Sequence, residues 1–111
     1  MSRSDAHRLA DMLMAADEIA AIVQRGRDAF NSEVVLRRAV ERCLEIIGEA
    51  SKAMSSDVTD AHPEIPWSDM AKVRDRLSHH YHRIDPSQLW TMATQDIPAV
   101  VSLLREIAPG G

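Results

Sequence analysis

The sequence predicts a single all-α domain, folded as a four- to five-helix up-and-down bundle. Apolar residues recur at three- and four-residue steps over long stretches, and the composition is aliphatic, with only 4% aromatic residues. A chain of 111 residues that is 45% hydrophobic can build one ordinary core and has no room for a second domain. Residues 1–111 are therefore expected to form one domain, with frayed ends at 1–4 and 108–111.

The first helix is predicted over residues 4–24, where apolar residues return every three or four positions. Ser4 or Asp5 is the expected N-cap, and Gly26 is the expected stop. A short connection at 30–32 follows, and either of its last two residues, Asn or Ser, can cap the next helix.

The second helix, predicted over residues 32–54, has an unusually broad apolar face. Its apolar residues fill an arc of about 180°, whereas one partner face usually requires about 100°. The helix therefore packs centrally or also meets a second subunit. Gly48 interrupts its polar side, which indicates either close approach of another backbone or a tolerated surface glycine. Cys43, the only cysteine, is expected to be a buried structural thiol rather than a nucleophile.

Residues 55–66 contain two prolines and several short polar residues, which predicts a loop. Trp67 follows the loop and is expected to anchor in the core. A third helix is then predicted from Asp69 toward position 79 or 81, with Ser68 as its N-cap.

A fourth helix is predicted over residues 86–93, because Asp85 can cap it and the proline at its first position is preorganised for a helix start. Trp90 within it is a second expected core anchor. Pro98 must either kink this helix or open a fifth one capped by Asp96.

Charge is distributed unevenly along the chain. The net charge of -4 argues against general coating of nucleic acid, and no DNA partner is expected. Residues 72–83 nevertheless carry a local charge of +3, which leaves -7 for the remainder. A small cationic site on an acidic body suits the binding of one phosphate better than sliding along a polyanion.

No apolar run in the sequence is long enough to span a bilayer, so no membrane association is expected. The N-terminal residues lead into a charged amphipathic segment rather than the uncharged apolar run of a secretion signal. A cytoplasmic location is therefore the expectation.

The most distinctive segment is RDRLSHHYHR at residues 74–83. It places an arginine, four residues, a histidine, one residue and a tyrosine at Arg74, His79 and Tyr81. In this spacing the chain resembles the HepT-like toxins of the HEPN superfamily. Asp75 departs from the family pattern, because many relatives carry Asn at that position.

The resemblance extends beyond the motif and covers about residues 5–107. Further matches lie in the second helix, before the third helix and after the motif: IIGEA at 46–50, IPW at 65–67, Asp85 and Trp90. This ordered set is more specific than the short motif alone.

The resemblance implies a homodimeric HEPN-like bundle whose two motifs meet in one cleft. It further implies a metal-independent endoribonuclease toxin of a type VII-like toxin–antitoxin system, with an RNA substrate and no cofactor. The cognate antitoxin would be a nucleotidyltransferase (MntA-like) that AMPylates Tyr81, which is the only tyrosine in the chain.

Residue chemistry supports these roles. Metal-free RNA cleavage needs a proton acceptor for the 2′-hydroxyl and a proton donor for the leaving oxygen, and the imidazole of His79 suits both. Arg74 offers a permanently charged fork of donors to phosphate oxygens. The remaining candidates fall into two groups. Those for binding RNA or phosphate are Lys72, Arg76, His80, His82 and Arg83, and those in supporting roles are Asp75, Ser78 and Glu49.

Helix geometry constrains how the motif can act. On an ideal helix Arg74 and Tyr81 nearly eclipse, whereas His79 falls about 140° from Arg74. Either the helix ends or unwinds near His79, or two copies across a twofold axis assemble the site.

Other interpretations remain open from sequence. His80 and His82 are either RNA ligands or solvated side chains, and Glu49 either pairs with Arg74, orients His79 or is solvated. A metal site at positions 79, 82 and 85 has fitting residue types but lacks a fourth ligand at a suitable spacing, so no metal is expected. A noncatalytic helical subunit that holds nucleotide or RNA for a nucleotidyltransferase is the alternative function.

Overall fold

The structure, a computed structural model, describes residues 1–79 and 84–109. Seven α-helices and one π-helical turn are found there: α1 (Arg3–Val23), α2 (Arg27–Ser32), α3 (Val34–Ala53), α4 (Ser56–Ala61), α5 (Trp67–Ser78), α6 (Pro86–Thr91), the π-helical turn (Met92–Asp96) and α7 (Ile97–Ile107). This part of the chain contains no β-strand. The prediction of an all-α fold is confirmed.

Helix α3 lies at the centre of the bundle. It packs against α1 and α5, and it also contacts the short helices α2 and α6. Most of its apolar face is buried, with Val40 at 0% and Ile47 at 3% exposure, whereas Val35 in its first turn is 73% exposed. The broad apolar arc therefore serves contacts on several sides of one subunit, as its central-packing interpretation predicted.

The first helix begins earlier than predicted, at Arg3. Its N-cap is Ser2, whose hydroxyl accepts a hydrogen bond from the Asp5 backbone N–H at 3.1 Å, so the predicted caps Ser4 and Asp5 were wrong. Gly26 does end this region, with a φ of 89° that favours glycine. At the other end of the chain α7 stops at Ile107, and the expected fraying of residues 110 and 111 lies outside the described residues.

Asp5 is buried and joins the start of α1 to the turn after α3. Its carboxylate accepts hydrogen bonds from the Ser55 hydroxyl at 2.6 Å and the Ser55 backbone N–H at 3.0 Å. The Ser2 hydroxyl donates at 2.9 Å and the Arg8 guanidinium at 3.3 Å. Chiefly through the Ser55 hydroxyl and N–H, these bonds lower the pKa of Asp5 to about 2.

Two short helices occupy segments predicted to be a connection and a loop. Each has six residues, too few to show a helical period in sequence. Fully buried Phe30 anchors α2, with its ring centroid 5.2 Å from that of Trp90, and buried Val58 anchors α4. Helix α3 consequently starts at Val34, with Glu33 rather than position 31 or 32 at its N-cap.

Pro98 lies in the first turn of α7, and the chain stays helical from α6 through the π-helical turn into α7. The residues that border the π-helical turn keep α-helical dihedral angles, and Asp96 makes no capping hydrogen bond, so its predicted capping role was wrong. A proline cannot donate the backbone hydrogen bond that a regular helix needs at its position. The wider π-helical turn lies just before Pro98, where the regular helical hydrogen-bond pattern is interrupted.

Cys43 is buried, as predicted. Burial, together with its hydrogen bond to the Glu18 carboxylate at 3.3 Å, raises the pKa of the thiol to about 12. The thiolate needed for nucleophilic chemistry is therefore strongly disfavoured. Trp67 is also buried, and its indole N–H donates to the His62 carbonyl oxygen at 3.0 Å.

Within the described ranges, no helix combines the length and the apolar character needed to cross a lipid bilayer.

We predict that Asp5→Asn removes a pH-dependent part of the stability. The folded-state pKa of about 2 lies below the ordinary value of 3.8, so the ionised carboxylate stabilises the fold above pH 3.8 and loses this effect as the pH falls toward 2. The wild-type free energy of unfolding should fall more steeply across this window than that of Asp5→Asn, and the variant should be less stable at neutral pH. Urea titrations at each pH measure both.

Asp11→Asn, at an exposed position of the same helix, is the matched control and should follow the wild type. Equal stability of wild type and Asp5→Asn at neutral pH would contradict a stabilising role for this carboxylate.

Candidate functional site

Arg74 is held where α5 crosses α3. Gly48 of α3 is buried at this crossing, and a Cβ atom placed on it would clash with the Arg74 side chain and lie 2.7 Å from the Met70 carbonyl oxygen. The two backbones therefore approach each other as closely as a glycine allows. The close-approach interpretation of Gly48 is confirmed, and the surface-glycine interpretation is wrong.

Two carboxylates face the Arg74 guanidinium. Asp75 Oδ1 lies 3.3 Å from its Nη1, and Glu49 Oε1 on α3 lies 3.9 Å from its Nε. Glu49 thus lies at ion-pair distance from Arg74, as one of its three sequence interpretations proposed, although its side chain is also 47% exposed.

Lys52 and Arg42 of α3 complete the charged cluster. Lys52 Nζ donates to Asp75 Oδ1 at 3.0 Å, and this bond is the main reason why the pKa of Asp75 is lowered. Arg42 Nη1 lies 3.8 Å from Glu49 Oε1. We call this set the α3–α5 charge cluster: Arg42, Glu49, Lys52, Arg74 and Asp75.

One donor in the cluster is unsatisfied. Nε of Arg74 is buried, and it is the one buried side-chain nitrogen or oxygen in the described ranges without a hydrogen-bond partner. At 3.9 Å, Glu49 is near enough for attraction but too far for a hydrogen bond. The side chain as a whole is 33% exposed, so the guanidinium can meet a ligand from solvent.

His79 lies just beyond the end of α5. The helix ends at Ser78, and His79 has extended backbone angles of φ -97° and ψ 118°, with its N–H donating to the Arg76 carbonyl oxygen at 3.3 Å. Its side chain is exposed. Of the two sequence alternatives, helix termination at His79 is confirmed, and assembly across a twofold axis stays a prediction.

The other basic residues of α5 face away from Arg74. Lys72 and Arg76 each lie about 160° around the helix axis from Arg74. Arg76 donates to Gln88 Oε1 of α6 at 3.4 Å, and Lys72 is exposed. The Ser78 hydroxyl donates to the Arg74 carbonyl oxygen at 3.0 Å. The described basic residues of this segment are therefore split between two surfaces.

Four candidates lie outside the described residues: His80, Tyr81, His82 and Arg83. The conceivable metal site at 79, 82 and 85 falls partly among them. In the ranges that are described, no three His, Cys, Asp or Glu side chains cluster in a way that could hold a metal ion.

An apolar groove of about 420 Å³ lies elsewhere, between α3, α5 and the π-helical turn with α7. It is floored by Leu44 and Ile47, and Asp69 and Asp96 are its charged lining residues. It contains no group that could stabilise a phosphate, so it is not the candidate site.

Sequence reasoning missed Arg42 and Lys52. A signal was present, because Arg42, Glu49 and Lys52 recur at helical spacings of seven and three on the polar face of α3. Which of them faces α5 depends on the helix crossing, which the spacing does not give.

Comparison with known proteins gives one family. Residues 12–107 match the HepT-like family model, described as ribonuclease HepT-like. A protein of Thermococcus cleftensis named "Probable ribonuclease HepT" is 52% identical over 62 residues, which span 56% of this chain and 56% of that relative. The match therefore covers little more than half of that protein's length.

Longer matches are found to proteins named "Putative RNase". One from Methanocaldococcus jannaschii is 34% identical over 100 residues, covering 89% of this chain and 86% of the relative. Another, from Caldanaerobacter subterraneus, is 36% identical over 78 residues, covering 70% of each chain. No solved structure shows significant similarity.

The helix crossing gives a stability prediction. Gly48→Ala should lower the free energy of unfolding by about 1–3 kcal/mol, because the added methyl group must push α5 away from α3. In an uncrowded helix the same change would stabilise by about 1 kcal/mol. Urea denaturation followed by circular dichroism measures the difference.

Val35→Ala on the same helix is the control, since Val35 is 73% exposed and its truncation should change stability by about 0.5 kcal/mol at most. A Gly48→Ala protein as stable as the wild type would mean that the crossing is looser than described.

Proposed function

The chain belongs to the HepT-like ribonuclease family, and on this basis we propose that it is a metal-independent endoribonuclease. The observation that carries the proposal is the placement of Arg74. Its Cα and Cβ lie at the α3–α5 crossing, and its guanidinium is partly exposed and short of one acceptor, five residues before an exposed histidine at a helix end.

In the proposed reaction, the 2′-oxygen of a ribose attacks the adjacent phosphorus, and the bond from phosphorus to the 5′-oxygen breaks. The products are a 2′,3′-cyclic phosphate and a free 5′-hydroxyl. One imidazole of His79 takes the proton from the 2′-hydroxyl, and a protonated imidazole gives one to the leaving oxygen. Arg74 stabilises the negative charge that builds up on the phosphorane-like transition state.

The two proton transfers fit a homodimer better than a monomer. A base that accepts and an acid that donates must be present together, and the motif supplies one histidine per chain at this position. Two protomers meeting along the motif would bring two such imidazoles to one cleft. The position of His79 beyond the rigid helix leaves it on the surface, where a second subunit can reach it.

We further propose that the protein is the toxin of a type VII-like pair. Its cognate antitoxin would be a nucleotidyltransferase that transfers AMP to Tyr81. An adenylyl group two residues after the proposed catalytic imidazole would place bulk and negative charge beside the cleft, which would repel an RNA phosphate.

The central test is the loss of cleavage in folded variants. Arg74→Ala and His79→Ala should each reduce cleavage of single-stranded RNA at least about 100-fold, because each removes a group that acts on the transition state. Gel electrophoresis of labelled RNA in buffer with EDTA measures the rate. Circular dichroism and size-exclusion chromatography should show a folded dimer in both cases.

His7→Ala is the matched control, since His7 is exposed on α1 and away from the motif. A folded His79→Ala protein with the wild-type rate would remove His79 from the mechanism. His79→Lys distinguishes a nuclease from a noncatalytic binding subunit, because it should abolish cleavage while RNA binding persists. If the wild-type protein binds RNA but leaves it intact, the binding-subunit alternative is supported.

The modification is tested at Tyr81. Incubation with the partner nucleotidyltransferase and ATP should add one AMP to the wild type and none to Tyr81→Phe, as measured by intact-protein mass spectrometry. Expression of the chain alone should slow cell growth, and the partner should relieve this effect for the wild type but not for Tyr81→Phe. Addition of AMP to Tyr81→Phe would place the modification on another residue.

A further inference from the structure

One carboxylate oxygen of the α3–α5 charge cluster lies between two guanidinium groups. Glu49 Oε1 is 3.8 Å from Nη1 of Arg42 and 3.9 Å from Nε of Arg74. The two arginine nitrogens therefore cannot be farther apart than the sum of these distances. They come from different helices and converge on the same small space.

Glu49 offsets the positive charge of the two guanidinium groups without accepting a hydrogen bond from either of them. Both distances exceed the range of a hydrogen bond, and Nε of Arg74 has no acceptor at all. Arg42 is 61% exposed, and its other carboxylate neighbour, Glu45, is likewise 3.8 Å away. Both guanidinium groups thus retain donors that an anion with closer-set oxygens could use.

We propose that Arg42 is a second phosphate-binding residue of the Arg74 site and that Glu49 is an internal anion which the RNA phosphate displaces. The inference rests on the proposed function, because its ligand is the RNA substrate of that site. Glu49 is half-exposed, so its carboxylate can turn into solvent when a phosphate oxygen takes its place.

Displacement of Glu49 favours the transition state over the bound substrate. A phosphodiester carries one negative charge, as the carboxylate does, so the exchange gains only the hydrogen bonds that Glu49 does not make. The phosphorane-like transition state carries more charge and competes better for the two guanidinium groups. Glu49 therefore weakens substrate binding more than it weakens catalysis, which is the condition for a high turnover rate.

The site should contact the RNA backbone rather than its bases. Guanidinium groups bind phosphate oxygens through paired donors, and the cluster contains no aromatic ring on which a base could stack. Binding through Arg42 should consequently depend on salt and not on sequence.

The test is Arg42→Gln in the full chain, with binding followed by fluorescence anisotropy. The probe is a labelled single-stranded RNA whose 2′-hydroxyls are methylated, so that it cannot be cleaved. Affinity should fall about five- to tenfold at low salt, and the slope of log affinity against log salt should become shallower by about 0.7, the value for one lost phosphate contact. A purely structural role would not change this slope.

Arg105→Gln is the matched control. Arg105 is 62% exposed and forms an ion pair with Asp17 at 3.2 Å on the α7–α1 surface. The substitution therefore removes one positive charge from a side chain about as exposed as that of Arg42. It should bind RNA as the wild type does. Unchanged affinity and salt slope in Arg42→Gln, or equal effects in both variants, would overturn the inference.

Glu49→Gln tests the displacement. It should bind the uncleavable RNA at least about threefold more tightly and lower KM without raising kcat, because a neutral amide does not compete for the guanidinium groups. Weaker or unchanged binding would show that Glu49 is not displaced.

The outcomes separate the two proposals. If the wild type cleaves RNA and Arg42→Gln binds it equally well, the inference fails and the ribonuclease function stands. If the wild type leaves every RNA intact but binds it through Arg42, the ribonuclease function fails and the phosphate site stands. A wild type that does not bind RNA overturns both.

Discussion

The close crossing of α3 and α5 at Gly48 determines where the candidate functional groups can be. Because no side chain separates the two backbones there, the Cα and Cβ of Arg74 lie directly against α3. Its guanidinium therefore lies among the charged residues of that helix, with Nε 3.9 Å from Glu49 Oε1. A larger residue at position 48 would shift α5 and move the whole set of contacts.

Other contacts hold α3 in place so that this crossing is possible. Buried Asp5 ties the start of α1 to the turn after α3 through Ser55, and Phe30 of α2 packs against Trp90 near the end of α6. Neither contact lies within α3, but they hold the segments that enter and leave it, α2 and the turn at Ser55. The orientation of its polar face toward α5 is therefore a property of the entire bundle.

The sequence predicted the long helices well, because their apolar residues recur with the helical period over many turns. It did not predict α2 and α4, whose six residues are too few for a period, nor the π-helical turn that carries the chain past Pro98. Arg74 and His79 could be proposed from their spacing. The charge cluster could not, because pairs between Arg74 and Glu49 depend on the angle and distance of two helices that lie far apart in sequence.

The charges around Arg74 nearly cancel, and this bears on the proposed action of an acidic protein on RNA. Arg42, Lys52 and Arg74 are matched by Glu45, Glu49 and Asp75 at distances of 3.0 to 3.9 Å. Such a cluster does not attract a polyanion from afar, in keeping with the net charge of -4. On the proposed function, selectivity would arise at close range, where the phosphorane-like transition state offers more charge than the Glu49 carboxylate that it would displace. With that function, such a site would bind an accessible RNA phosphate weakly and would favour the same phosphodiester as it reaches the transition state.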